Sequence, residues 1–212
     1  MSVSDDAALT APVVSCNGAV VSVPGTGERL LVAVLDPATV DRIVGFAMAQ
    51  RLEPLLWTAG EMFARAHSDA TSLLELINQQ RVTIAPLDRI PRDAVVKVML
   101  SGSRERLDDV GDLLGAELPL LRRSMDVFYE TNHPGATKSE ALRLVLERLG
   151  IAPRHCMGLA DGDTDVGWMR EVGLPVALEN SRPAIRRISR IQIGNHADDA
   201  VAKFLAAYFD LS

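Results

Sequence analysis

The chain has 212 residues, of which 48% are hydrophobic and 24% are charged, and its formal net charge is −6. This composition is typical of a folded globular protein, and the length suits one large domain or a core with a smaller inserted domain. The negative charge argues against nucleic acid or an anionic membrane as the main partner, because both are bound by clustered lysine and arginine. The basic segment 182–190 is expected to be a solvated helix face.

The two cysteines and the N-terminal segment bear on the cellular compartment of the protein. Cys16 and Cys156 are far apart in sequence and have neither disulfide-framework nor metal-site spacing, so both are expected to be buried free thiols in a reducing compartment. The N-terminus lacks the basic start and apolar stretch of a signal peptide, and no apolar run approaches membrane-spanning length. We therefore expect a cytoplasmic protein.

The first half of the chain predicts alternating strands and helices. Residues 13–23 predict a strand interrupted by a turn at Asn17-Gly18. Residues 30–35 predict a buried strand leading into a helix that is capped by Asp36 and begins at Pro37. Further helices are predicted over 68–79 and 103–114, and further strands over 54–57, 94–100 and 125–131. No glycine-rich phosphate loop occurs among them.

The second half carries sharper signals. Thr137 and Glu140 predict a capping box, and Gly150 is a natural end for the helix that follows. An apolar stripe is expected on that helix at Leu142, Val145 and Leu149. Strands are then predicted over 155–160 and 175–178, and helices over 165–172 and 182–189. Short loops between them imply a parallel sheet whose strand ends carry the functional site.

Three carboxylates, Asp161, Asp163 and Asp165, lie between the predicted strand 155–160 and the next helix. Closely spaced aspartates on such a turn can supply the oxygen ligands that Mg2+ requires. Asp163 or Thr164 is expected to cap the helix, and Asp165 in its first turn is favoured by the helix dipole without any metal. Capping therefore explains two of the acids and leaves Asp161, at the end of the strand, as the candidate metal ligand.

Lys138 stands at the first position of its predicted helix, where the helix dipole disfavours a cation. The lysine follows a glycine-containing loop, so it is placed to meet an anion there. The alternative is a solvent-exposed lysine that tolerates a cost of a few tenths of a kcal/mol. Taken alone, the lysine favours the second interpretation.

In chain order, Lys138, Asp161, Asp165 and the segment 173–180 resemble the C-terminal half of the haloacid dehalogenase superfamily, most closely its Cof-like and sugar-phosphatase branch, subfamily IIB. The resemblance implies that Lys138 clamps phosphate and that Asp161 and Asp165 bind Mg2+. The segment 14–19, which contains Asn17, is similar to the strand that precedes the cap in this branch. Asn17, Lys138 and Asn180 are thereby implied as substrate-binding residues.

The same resemblance implies an α/β fold with a Rossmann-like core and a parallel sheet. The core would comprise residues 1–22 and 136–212, and residues 23–135 would form an inserted α/β cap domain. The implied activity is Mg2+-dependent hydrolysis of a phosphomonoester through an aspartyl-phosphate, with a small phosphorylated metabolite such as a sugar phosphate as substrate.

The sequence departs from the family pattern in two respects. Ala160 replaces the glycine before the metal-binding acid, and Thr164 replaces the usual asparagine, so we expect altered hydrogen bonding around the acids. The nucleophile motif Asp-x-Asp-Gly-Thr, and the Thr or Ser motif that should also lie upstream of Asn17, are absent from residues 1–16. The core is thus expected to lack its N-terminal strands.

Three hypotheses follow from these departures. The first is a phosphatase that is inactive as this chain alone, and the second is a non-catalytic or repurposed protein that binds a phosphorylated ligand or a metal. The third is a plain α/β domain whose acids only cap helices. A gapped sheet exposes unpaired backbone groups, which favours pairing with a second copy or with a complementing chain.

Overall fold

The computed structural model describes residues 10–131 and 133–210 and has a mixed α/β fold that includes a parallel sheet. The chain divides into two compact units, Met1–Thr137 and Lys138–Ser212. The grouping of residues 1–22 with 136–212 as one core domain stays a prediction. Within the described part, no helix has both the length and the apolar character needed to cross a membrane.

The first unit opens with a three-stranded antiparallel sheet of β1 (Val13–Ser15), β2 (Val20–Ser22) and β3 (Arg29–Val32). A one-turn 3-10 segment connects β1 to β2. Its residues Asn17 and Gly18 have positive φ angles of 56° and 103°. Asparagine and glycine are the residues that tolerate this conformation best, so the turn predicted at Asn17-Gly18 is confirmed.

A six-stranded sheet in the order β6-β5-β4-β7-β9-β8 completes this unit. Only β5 and β6 run parallel; the other neighbouring strands are antiparallel. Apolar side chains pack against both faces. The strands are β4 (Glu53–Trp57), β5 (Met62–Ala64), β6 (Val82–Ile84), β7 (Lys97–Ser101), β8 (Leu121–Met125) and β9 (Phe128–Thr131), and the helices are α1 (Pro37–Ala49), α2 (Asp69–Asn78), α3 (Arg104–Asp109) and α4 (Gly111–Glu117).

Most elements predicted for this unit are present, and three predictions need correction. The strand expected to be buried over 30–35 is β3, which ends at Val32 and is half-buried to exposed, since it lies at the edge of its sheet. The Asp36 carboxylate accepts a hydrogen bond from the Thr39 backbone at 3.0 Å, which confirms the predicted cap of α1. The single helix expected over 103–114 is instead α3 and α4, separated at Val110, because Gly111 propagates a helix poorly. The single strand expected over 125–131 is the hairpin of β8 and β9, which turns back after Met125.

The second unit contains a parallel sheet in the order β10-β11-β12, which confirms the prediction for this half. Ala160, Met169, Ala177 and Ile185 form its buried apolar core. The strands are β10 (Met157–Ala160), β11 (Leu174–Leu178) and β12 (Ile191–Ile193), and the helices are α5 (Lys138–Leu149), α6 (Val166–Met169), α7 (Pro183–Ile188) and α8 (Ala200–Tyr208).

Helix α5 begins at Lys138 as predicted, and Gly150 follows its end with a φ of 66°. Its buried face is formed by Ala141, Val145 and Leu146. Leu149, expected in the apolar stripe, is 44% exposed, because the last turn extends beyond the packed surface. The capping box of Thr137 and Glu140 stays a prediction.

Both cysteines are free thiols and are half-buried, rather than fully buried as expected. Cys16 lies in the turn between β1 and β2, where burial raises the pKa of its thiol while the nearby charge of Lys97 opposes the rise. Cys156 directly precedes β10.

Candidate functional site

The carboxyl ends of β10 and β11 bring together two of the predicted site residues. The strands pair in parallel with Ala160 opposite Ala177, so the residues that follow them emerge at the same edge of the sheet. Asp161 follows β10 directly and has an exposed side chain. The Asn180 amide nitrogen lies 3.5 Å from the Asp161 carboxylate, at the limit of a hydrogen bond. The structure thus places Asn180 beside the candidate metal ligand.

The turn after β11 is anchored to the end of β10 by Ser181, which is 3% exposed. Its hydroxyl donates to the Ala160 carbonyl at 3.0 Å and accepts from the Leu178 backbone at 2.8 Å. The Arg182 backbone also donates to the Asp161 carbonyl at 2.8 Å. These bonds hold the backbone on either side of Asn180, so Ser181 is a positioning residue that sequence reasoning missed. Its only signal was a serine directly after Asn180 at the end of an apolar strand.

A second group of site residues forms around Lys138. The Lys138 ammonium donates to the Asp165 carboxylate, with Nζ 2.7 Å from Oδ1, and to the Thr164 hydroxyl at 3.3 Å. The same Asp165 oxygen accepts from the Trp168 indole at 2.9 Å. Lys138 and Asp165 are only 32% and 14% exposed, so solvent screens their ion pair less than it would screen a surface pair.

A further ion pair joins α5 to the segment that follows α6. Arg143 binds Glu171 through two parallel hydrogen bonds of 2.8 and 2.7 Å. The hydrogen bond and charge of Glu171 raise the pKa of the Arg143 guanidinium. Together with the Lys138–Asp165 pair, this contact ties the start of α5 to the acidic loop.

The predicted capping role of Asp163 and Thr164 is wrong. A 3-10 turn over Asp163–Asp165 precedes α6, and neither it nor α6 has a side-chain cap. The predicted helix over 165–172 is correspondingly reduced to Val166–Met169. The Asp163 carboxylate instead lies 3.9 Å from Arg182 in an exposed ion pair, and Thr164 faces Lys138. The 3-10 turn that precedes α6 starts at Asp163, so both residues lie inside the turn and not at the position before it, from which a side chain caps.

Asn17 belongs to the first unit, where the 3-10 turn after β1 holds it. Its amide donates to the Glu130 carboxylate at 3.3 Å, and Glu130 forms an ion pair with Lys97. The Lys97 ammonium also lies 5.3 Å from the centre of the Trp57 ring. The implied role of Asn17 in substrate binding stays a prediction.

The acids offer only part of a metal's ligand set. Carboxylate oxygens are the ligands that Mg2+ prefers, and the exposed Asp161 carboxylate can accept such an ion. Lys138 and Trp168 both donate their hydrogen bonds to the same oxygen of Asp165, Oδ1. Across residues 10–131 and 133–210, no three His, Cys, Asp or Glu side chains are grouped so that they could hold a metal.

Residues 1–205 match the family model of the haloacid dehalogenase-like hydrolases. The chain belongs to this family. A putative phosphatase from Haemophilus influenzae is 26% identical over 131 residues, 61% of this chain and 50% of that protein. An HMP-PP phosphatase from Citrobacter koseri is 24% identical over 190 residues, 87% of this chain and 70% of that protein. The chain thus aligns with half of the first relative's length.

Solved structures of haloacid dehalogenase-like hydrolases have the same fold. One from Bacteroides thetaiotaomicron superposes with a TM-score of 0.82 at 20% identity and covers 94% of this chain and 77% of that one. A sugar phosphatase of haloacid dehalogenase subclass IIB superposes with a TM-score of 0.74 at 15% identity and covers 99% of this chain and 80% of that one. At sequence identities this low, the structural similarity shows a shared fold and nothing about activity.

Proposed function

We propose that this chain carries the lysine and metal-binding part of a Mg2+-dependent phosphomonoester hydrolase. Its substrate would be a small phosphorylated metabolite such as a sugar phosphate. The observation that carries the proposal is the pairing of Lys138 with Asp165 in the same unit that sets Asp161 and Asn180 at one edge of a parallel sheet. A lysine that can neutralise phosphate charge and an exposed carboxylate that can hold Mg2+ supply the electrostatic stabilisation on which phosphoryl transfer depends. The phosphatase relatives support this class of substrate.

Each residue has a defined role in this proposal. Lys138 donates hydrogen bonds to phosphate oxygens and neutralises their charge. Asp161 binds Mg2+, Asp165 holds the lysine and supports the metal, and Asn17 and Asn180 donate to the substrate. Mg2+, when bound, supplies Lewis-acid stabilisation of the phosphoryl oxygens. Residues 23–135 would form the cap that contacts the rest of the substrate.

The covalent step of this mechanism needs an aspartate nucleophile, and residues 1–16 contain no Asp-x-Asp-Gly motif. We therefore expect the purified 212-residue chain to show no phosphomonoester turnover above background. A chromogenic phosphate ester with excess Mg2+ provides the assay, and a related full-length phosphatase is the positive control. Robust hydrolysis that disappears on Asp161→Ala would contradict the expectation of inactivity.

A second candidate function is binding of a phosphorylated ligand without hydrolysis. Thr164, which stands in place of the family's asparagine, contacts Lys138 directly, and Ala160 stands in place of a glycine. These two substitutions favour a site that binds a phosphorylated ligand over one that hydrolyses it. The genomic DNA upstream of the Met1 codon discriminates between the candidates. An in-frame strand ending in Asp-x-Asp-Gly favours the hydrolase, and a stop codon without such a sequence favours the binding protein.

The metal assignment is tested by calorimetric titration of Mg2+ into the full chain. We expect Asp161→Ala to weaken Mg2+ binding at least about tenfold, because a directly coordinating carboxylate is lost. Asp198→Ala is the matched control in the same unit, since Asp198 belongs to neither group of site residues and is not among the residues with a positive φ angle. Indistinguishable titrations of the wild type and Asp161→Ala would show that Asp161 is not a ligand.

A further inference from the structure

Trp168 lies directly beside the candidate phosphate clamp. Its indole Nε1 donates to Asp165 Oδ1 at 2.9 Å, and this is the oxygen that accepts from Lys138 at 2.7 Å. The indole N–H and the ammonium therefore converge on a single carboxylate oxygen.

The indole ring is held from the opposite side by β10. A Cβ atom added at Gly158 would lie 2.6 Å from Trp168 Cζ3, closer than any real contact. The missing side chain of Gly158 thus provides the space that the ring occupies. Trp168 also packs against the buried core of the unit. Its ring position is set by packing, so the direction of its N–H is set before any ligand arrives.

We propose that Trp168 is a positioning residue for the phosphate clamp: its indole fixes the Asp165 carboxylate, and the carboxylate in turn aims the Lys138 ammonium. The inference rests on the proposed function, since it assumes that Lys138 binds phosphate.

The physical reason is the conformational freedom that the Asp165 and Lys138 side chains would have without the indole. The last torsion of an aspartate is broad, so a carboxylate held by one partner rotates readily. The lysine is a flexible chain with a point charge at its end, and its side chain is one-third exposed here. A rigid donor on Oδ1 fixes the acceptor and so narrows the positions of the ammonium. The lysine side chain then loses less conformational entropy when phosphate binds, which increases the affinity for phosphate.

The test measures inorganic phosphate binding to the full chain in the presence of Mg2+. We expect Trp168→Phe, which keeps a ring and removes the N–H, to weaken phosphate binding about three- to tenfold. In a Lys138→Met background the same change should have no further effect, because the indole acts through the lysine. Trp57→Phe, the same substitution in the other unit, is the control and should leave phosphate affinity unchanged.

The outcomes separate the two claims. If Lys138→Met leaves phosphate affinity unchanged, both the clamp and the inference are overturned. If Lys138→Met weakens binding and Trp168→Phe does not, only the inference is overturned. Equal losses from Trp168→Phe with and without Lys138 would show a general structural effect, and this also overturns it.

A second measurement does not require the Trp168→Phe variant to fold. In the Trp57→Phe chain the remaining indole N–H signal in an NMR spectrum belongs to Trp168. Adding phosphate should shift this signal, because the ammonium that shares its acceptor oxygen gains a second, negatively charged partner. In a chain that also carries Lys138→Met, adding phosphate should leave the Trp168 signal unshifted. Absence of a phosphate-induced shift in the chain that retains Lys138 would count against the inference.

Discussion

Replacing Gly173 with alanine is expected to destabilise the second unit by roughly 3 kcal/mol or more, at the upper end of overpacking effects. A Cβ atom at this position would lie 1.8 Å from the Arg154 carbonyl oxygen and 2.5 Å from its carbonyl carbon. The Gly173 backbone also donates to the Pro153 carbonyl at 3.0 Å, so the two chain segments are tied together where the new atom must fit. Both contacts are with backbone, which cannot rotate away.

This destabilisation is measured by urea unfolding in a Trp57→Phe background, where fluorescence reports on Trp168 in the second unit. Gly194→Ala is the matched control, because its added Cβ would lie 3.4 Å from the Ala200 Cβ, an ordinary contact. We expect the control to unfold within about 1 kcal/mol of its parent. Equal midpoints for Gly173→Ala and Gly194→Ala would mean that the packing between residues 154 and 173 is not as the structure describes.

Replacing Lys138 with methionine is expected to weaken the binding of inorganic phosphate about 10- to 100-fold. Methionine approximates the length of the side chain but has no charge, and a hydrogen bond to a charged partner contributes about 1.5–3 kcal/mol. The wild-type affinity should also fall as salt is raised, since part of the attraction is electrostatic, and the variant should show a weaker salt dependence.

Lys203→Met is the matched control for this prediction. Lys203 lies in the same unit, and its ammonium donates to the Asp198 backbone carbonyl. Loss of this lysine removes the same charge from the unit without touching the Asp165 pair, so phosphate affinity should change less than about twofold. If both lysine variants weakened binding equally, the attraction would come from overall charge and not from a clamp.

The second unit was predictable because its signals are local. An apolar run followed by an aspartate indicates a strand end, and Gly150 marks where α5 stops. The order of Lys138, Asp161, Asp165 and Asn180 was enough to recognise the family, which the match over residues 1–205 confirmed.

The first unit was harder to predict because several of its strands are short. β5 and β6 have three residues each, which is too short for a periodic pattern to mark them. β8 was missed because its pairing with β9 depends on a tight turn inside what looked like a single strand. β12 and α8 in the second unit were missed as well, since a three-residue strand and a largely exposed helix carry weak patterns.

The sequence by itself determined the family, the parallel sheet of the second unit, and the position of Lys138 at the start of its helix. Only the tertiary structure decided the partners of the site residues: Asp163 and Thr164 turn toward cations instead of capping, Ser181 braces the turn beside Asn180, and Trp168 shares an oxygen of Asp165 with the lysine. The physical reason is that strand ends and helix starts follow from local chemistry, while a hydrogen-bond partner depends on which distant side chain packing brings within 3 Å.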